Sequence, residues 1–113
     1  MTLQELLNGP GLVLFEGAMG TQLERRGAPM GGVANLSHPE AVAAVHADYR
    51  NCGVDLLMTN TLTGNRIFTR DPDVDLHALN LAGVALARAA AGPLPVLGDI
   101  GSCGKLLKPF GPV

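Results

Sequence analysis

Short apolar runs alternate with more polar stretches along the chain, and three of the runs have the length of a β-strand. They are "GLVLFEGA" at residues 11–18, "VDLLMTN" at 54–60 and "LPVLGDIG" at 94–101. Short apolar runs of this kind are typical of strands that are buried on both faces. Residues 21–36 are less regular, and the Gly and Pro content of "GAPMGGVAN" at 27–35 predicts a loop.

Two longer stretches carry apolar residues at helical spacing. Ser37 precedes the first stretch, with Pro39 in the first turn and Glu40 three residues on, which predicts a capping box. We expect this helix to end at Gly53. The second stretch, residues 73–92, starts with an aspartate cluster and ends on a glycine. Strands that alternate with helices predict βαβ units, a parallel sheet and therefore an α/β fold.

Glycines and polar residues follow each predicted strand directly. The segments are "EGAMGT", "TNTLTGNR" and "GDIGSCGK". Loops after parallel strands meet at one edge of the sheet, where α/β folds bind their ligands. Any single loop of this kind is equally well explained by the Gly and polar residues that turns require. Three such loops in succession favour a ligand site.

Composition limits the size and the class of the protein. The 113 residues form at most one domain, whereas a barrel of eight strand-helix units needs roughly 250 residues. A net charge of −2 without a basic block argues against a nucleic-acid partner. The apolar runs are too short to span a bilayer, and the N-terminus has no secretory pattern, which favours a soluble, cytoplasmic protein. Reduced thiols are therefore expected at Cys52 and Cys103.

The segment "FEGAMGT" at residues 15–21 raises the question of which ligand it contacts. It lacks the glycine spacing of a dinucleotide fingerprint and the Gly-Lys-Ser/Thr ending of a phosphate-binding P-loop. A carboxylate at this position would repel a phosphate and attract an ammonium group. Glu16 therefore indicates a cationic or amino-bearing ligand.

Three segments in order resemble the opening of the homocysteine S-methyltransferase domain of cobalamin-dependent methionine synthases and betaine-homocysteine methyltransferases. They are "EGAMGTQLERRG", "LSHPEAVAAVHADYRNCGVDLLMTNTLTGNR" and "LGDIGSCGKLLKPFG". The resemblance implies a (β/α)8 TIM barrel, of which about three βα units are present. It also implies methyl transfer to the zinc-activated thiolate of homocysteine, which gives methionine.

The resemblance also implies which residues bind the substrate. Glu16 takes the place of the family's Asp that helps to hold the homocysteine amino group, and the glycine loop after it approaches the substrate closely. The end of the second strand would line the pocket with hydroxyl and amide groups, and the third strand contributes an acid. The expected substrate-binding residues are Glu16, Gly17, Ala18, Met19, Gly20, Thr59, Asn60, Thr61 and Asp99.

Other polar residues are expected to have structural roles. His46 and Tyr49 fit the family's helix pattern and are interpreted as helix-packing residues. Cys52, at the end of the same helix, is interpreted as a small buried apolar residue, and Cys103 is not expected to bind a metal alone.

The family's zinc ion is held by three cysteine thiolates late in the barrel, and these are not among the residues of this chain. The chain, residues 1–113, is therefore interpreted as a partial homocysteine-binding domain: a truncated product, a fragment of a longer reading frame or a piece that needs a partner. We expect it to be inactive and poorly soluble alone. The methyl donor is a corrinoid, a betaine-like onium compound or S-methylmethionine. The alternative is a non-catalytic α/β binding domain that has kept the substrate-facing loops without the metal.

Overall fold

The computed structural model describes residues 1–113 and contains five helices and two short strands. In chain order they are α1 (Leu3–Asn8), α2 (Gly20–Arg25), α3 (Ala34–Ser37), α4 (Pro39–Asn51), β1 (Leu57–Met58), α5 (Leu76–Ala91) and β2 (Val96–Leu97). No helix combines the length and the apolarity that a bilayer crossing requires.

The sheet is parallel, as the alternation of strands and helices predicts. Leu57 pairs with Val96 and Met58 with Leu97 in a parallel register. The first apolar run contributes only an isolated parallel bridge, between Phe15 and Leu56. The Leu57 N–H donates to the Pro95 carbonyl beside β2, and the Met58 N–H donates to the carboxylate of Glu16 in the first run. Strand β1 therefore lies between the first run and β2. The three segments therefore adjoin in sequence order, although their regular pairing is much shorter than the predicted runs.

The apolar core lies between the helices that precede β1. Leu23 of α2, Ala34 of α3, and Val42 and Val45 of α4 are buried together, with Met19 packed against them. Helices α4 and α5 pack on each other and both contact β1. These contacts fix the carboxyl end of β1 relative to the loop that follows the first run.

The start of the central helix differs from the prediction. Ser37 is the last residue of α3, and its hydroxyl donates to the Val33 carbonyl instead of capping α4. The predicted capping box with Glu40 is therefore wrong, because Ser37 is already the last residue of α3 and His38 stands at the N-cap position of α4. Pro39 does open α4, as predicted.

The ends of the two predicted helices agree with the sequence. Helix α4 is followed by Gly53 at φ +92°, a conformation that favours glycine. Helix α5 is capped by Asp75, whose carboxylate accepts from the Ala78 N–H, and it ends before Gly92. The three short helices α1, α2 and α3 are not among the predicted elements.

Candidate functional site

A cavity of about 370 Å³ opens at the carboxyl end of the sheet. Eight of the nine predicted binding residues line it, and only Thr61 does not. The lining residues are Glu16, Gly17, Ala18, Met19, Gly20, Met30, Gly31, Met58, Thr59, Asn60, Leu62, Thr63 and Asp99. The structure thus brings together the loop after the first apolar run, the loop after β1 and the acid that follows β2.

Hydroxyl groups join the loop after β1 to the loop after β2. Thr61 Oγ1 donates to the Asp99 carbonyl at 2.6 Å and lies 2.6 Å from Thr59 Oγ1. Thr59 Oγ1 accepts from the Asp99 N–H at 3.0 Å. Because the Thr61 proton is used on Asp99, the Thr59 hydroxyl donates to Thr61. Both hydroxyls therefore hold the two loops together, and Thr61 lines an adjoining cavity that shares Thr59 and Asp99.

A buried pair of amides holds the same loop from the helix side. Asn60 Nδ2 donates to Asn35 Oδ1 at 3.1 Å and to the Gly31 carbonyl at 3.0 Å. Asn35 Nδ2 in turn donates to the carbonyls of Asn60, at 2.8 Å, and Leu79, at 3.1 Å. Both N–H donors of Asn60 are thus used within the chain. Its amide orders the cavity wall, and only its oxygen is left without a protein partner.

Glu16 lies at the cavity wall with its carboxylate held by the protein. Its side chain is only 2% exposed. His46 Nδ1 lies 2.7 Å from Oε2 and 3.0 Å from Oε1, and the Met58 N–H donates to Oε1 at 3.1 Å. In a parallel ladder the Met58 N–H would donate to a backbone carbonyl of the first run; here the carboxylate takes that place.

The glycine loop packs on α4 as well as facing the cavity. The Tyr49 hydroxyl donates to the Ala18 carbonyl at 2.7 Å. A side chain at Gly17 would place its Cβ 3.0 Å from the Tyr49 ring, which is closer than ordinary contact, so glycine lets the loop lie against this ring without displacing it. The close approach of this loop to the substrate, which the resemblance implies, stays a prediction.

The charge of the cavity favours a cationic group. Two acids, Glu16 and Asp99, line it, and no Lys or Arg does. The Asp99 side chain makes no hydrogen bond within the chain and is partly exposed. Three methionines, Met19, Met30 and Met58, together with a leucine, form an apolar and polarisable part of the wall. An ammonium group on a short apolar chain fits this combination of carboxylates and thioethers, whereas a phosphate does not.

Several of these contacts have no direct signal in the sequence. His46 is a buried hydrogen-bond partner of Glu16, although the sequence predicts only helix packing for it. Met30 and Thr63 line the cavity and Asn35 holds Asn60, and no sequence motif points to these three residues. Spacing offered one signal, since His46 and Tyr49 lie three residues apart and hence on the same face of α4. Their partners are 30 and 31 residues away along the chain, which no local pattern identifies.

The two cysteines lie apart from the cavity. Both are free and exposed, so the interpretation of Cys52 as a buried residue is wrong: it follows the last turn of α4, where that helix meets solvent. No group of three or more His, Cys, Asp or Glu side chains could hold a metal ion. The residues of this chain therefore do not fit the three-thiolate zinc site of the resemblance.

A cavity formed by the loops after parallel strands defines the class: an α/β module with a cavity at the carboxyl edge of its sheet, the place where α/β folds bind small molecules. The sequence profile described as homocysteine S-methyltransferase matches residues 13–113. The chain belongs to this family.

A solved structure supports the same assignment. The chain is similar to the crystal structure of the homocysteine methyltransferase MmuM from Escherichia coli in its metallated form, with 29% sequence identity and a TM-score of 0.77. The similarity covers 90% of this chain and 42% of the chain of that enzyme. The chain thus spans less than half the length of this relative. A comparison with curated protein sequences gave no match.

Proposed function

We propose that this chain carries the amino-acid-binding part of a homocysteine S-methyltransferase, an enzyme that transfers a methyl group to the homocysteine thiol to give methionine. The single observation that carries the proposal is the placement of eight predicted substrate-binding residues around one cavity. Family membership and the similarity to a metallated homocysteine methyltransferase support it. By this account the fold is the first part of a (β/α)8 barrel.

The role of Glu16 is to hold the substrate ammonium group. A carboxylate that already accepts from two protein donors keeps lone pairs for a third, because each oxygen accepts more than one hydrogen bond. A charge-assisted hydrogen bond to an ammonium group contributes on the order of 1.5–3 kcal/mol. Asp99 supplies a second negative charge at the cavity, and its partial exposure lowers its contribution through solvent screening.

The reaction itself requires groups that this chain does not contain. Two exposed cysteines in separate segments do not form a zinc site, so the thiol-activating metal must be held by other residues of the enzyme. The residues of this chain bind and orient the amino-acid end of homocysteine. The methyl donor contacts other parts of the enzyme, and the isolated chain is expected to be inactive.

The first test is homocysteine binding by a Glu16→Gln variant, measured by equilibrium dialysis under reducing conditions. We expect affinity to fall roughly ten- to a hundredfold, because the amide keeps the shape of the side chain and loses its charge. Asp99→Asn should cause a smaller loss. Glu24→Gln removes an exposed carboxylate of α2 outside the cavity and is the matched control. Normal binding by Glu16→Gln would show that this acid has no role in holding the substrate.

A further inference from the structure

The most deeply buried charged group of the chain is in contact with a histidine that is itself fully buried. His46 has 0% side-chain exposure and the Glu16 side chain 2%. A carboxylate removed from water to this extent is stable as an anion only when donors replace the lost hydration. The chain supplies two donors, His46 Nδ1 and the Met58 N–H.

Both donors belong to regular secondary structure. His46 lies within α4, and Met58 is the second residue of β1. Because α4 packs directly on β1, the two donors have fixed positions relative to each other. Together they determine where the carboxylate of Glu16 lies on the cavity wall.

The second ring nitrogen of His46 defines the protonation of the pair. Nε2 is buried and has no hydrogen-bond partner. A protonated imidazolium would leave a charged N–H at Nε2 without an acceptor, which costs more than a lone pair without a donor. The arrangement therefore favours a neutral imidazole with its proton on Nδ1, donated to Glu16. The pair then keeps a net charge of −1 beside the cavity.

We propose that His46 is a positioning residue for substrate binding: it donates Nδ1–H to Glu16, and thereby holds this carboxylate in its orientation at the cavity wall. The identity of the ligand rests on the proposed function, whereas the action of His46 on Glu16 does not. Tyr49, on the same face of α4, holds the Ala18 carbonyl, so one helix fixes the binding loop at two points.

The experiment compares two substitutions in the full chain at neutral pH. His46→Leu fills a similar volume without a donor, whereas His46→Asn keeps an N–H close to the position of Nδ1. In ¹³C spectra, the resonance of the Glu16 carboxyl carbon reports the hydrogen bonds that this group accepts. His46→Leu should move the resonance from its wild-type position, because the carboxylate loses a donor, and His46→Asn should return it towards that position. Val45→Ala, a cavity-forming change at the adjacent buried residue, should lower stability without moving this resonance.

Binding of L-homocysteine gives a second readout. We expect about tenfold or greater loss of affinity in His46→Leu and a return to within about threefold of wild type in His46→Asn. If His46→Leu leaves the Glu16 carboxyl shift unchanged, the proposal is overturned, whatever the affinity.

Two further outcomes are decisive. If His46→Leu does not fold, the ¹⁵N resonances of the wild-type ring decide: a proton on Nδ1 with a free Nε2 supports the proposal, and a proton on Nε2 alone overturns it. If the wild-type chain does not bind homocysteine, the proposed function fails, while the carboxyl shifts still test the action of His46 on Glu16.

Discussion

At the residue scale, the loop "EGAM" is held by polar contacts from α4. Glu16 accepts from His46, and the Ala18 carbonyl accepts from the Tyr49 hydroxyl. A loop fixed at both positions presents its backbone to a ligand without first losing conformational freedom, and such preorganisation increases affinity.

Removing the Tyr49 hydroxyl tests this hold on the loop. Tyr49→Phe should lower the free energy of unfolding by about 1 kcal/mol, since it deletes one hydrogen bond and keeps the ring that packs on Gly17. Amide exchange at Ala18 and Met19 should become faster, with exchange in the middle of α5 as the internal reference. Unchanged exchange in the loop would show that the hydroxyl does not order it.

Eight of the residues that line the cavity could be predicted from sequence, and their hydrogen-bond partners could not. Glu16, Thr59 and Asp99 follow apolar runs, and parallel packing places them at one edge. To identify His46 as the partner of Glu16, one must know how α4 packs on the sheet, and this depends on tertiary contacts. Helical spacing shows only that the His46 side chain faces inward, so the sequence predicts a packing residue.

At the element scale, the same capping pattern occurs three times in the chain and forms a capping box once. One occurrence of Ser or Thr followed three residues later by Glu, Thr21–Glu24, lies inside α2 and cannot cap it. At the start of a helix the pattern is present at Thr2–Glu5 and at Ser37–Glu40. Only Thr2 and Glu5 form the reciprocal hydrogen bonds, at 3.2 Å and 2.7 Å. The other pair is prevented by α3, whose formation depends on its packing against α4 and α5.

The capping box of α1 should make the order of that helix depend on pH. The Thr2 N–H and hydroxyl lower the pKa of Glu5 below its usual range. Because the folded pKa is lower than the unfolded one, the box stabilises α1 fully above the usual pKa of a glutamate. This stabilisation is lost as the pH falls through the folded pKa. Amide exchange in α1 across an acid titration measures the effect. Thr2→Ala should reduce this pH dependence without abolishing it, because it removes the hydroxyl and keeps the backbone N–H that donates to Glu5.

A glycine inside α5 is required by the wall behind the site. A Cβ at Gly83 would lie 2.7 Å from Thr61 Cγ2 and 2.8 Å from Asn35 Nδ2. At a solvent-exposed position inside a helix, Ala stabilises the helix by about 1 kcal/mol relative to Gly. Here Gly83→Ala should instead destabilise by about 1–3 kcal/mol, because it displaces the amides that hold the loop after β1.

Urea unfolding measures this loss, with Gly98→Ala as the control, since a Cβ there meets nothing within 4 Å. Increased stability in Gly83→Ala would contradict the packing described for Asn35 and Thr61.

At the scale of the whole molecule, the order and direction of the strands follow from the sequence, and their lengths do not. Alternation of apolar runs with helices predicts parallel neighbours in chain order, which the structure confirms. The paired residues are few because a strand extends only where a neighbour supplies hydrogen bonds.

Large apolar side chains remain at the surface, among them Leu12 at 93% and Ile100 at 91% exposure. Exposed apolar surface favours association with other protein surface, which is consistent with poor solubility of the isolated chain. The poor solubility itself stays a prediction.

The central claim is that the residues lining the cavity bind the amino-acid end of homocysteine. Amide mapping by NMR tests this claim most directly. The ¹⁵N-labelled chain is titrated with L-homocysteine, with a reductant present because Cys52 and Cys103 are free thiols that would form mixed disulfides. The control ligand, 4-mercaptobutanoate, keeps the thiol and carboxylate and lacks the amino group. The account predicts shifts at cavity residues such as Gly17, Thr59 and Asp99 with homocysteine and much weaker ones with the control. Absence of shifts, shifts confined to surfaces outside the cavity, or equal shifts with both ligands would contradict it.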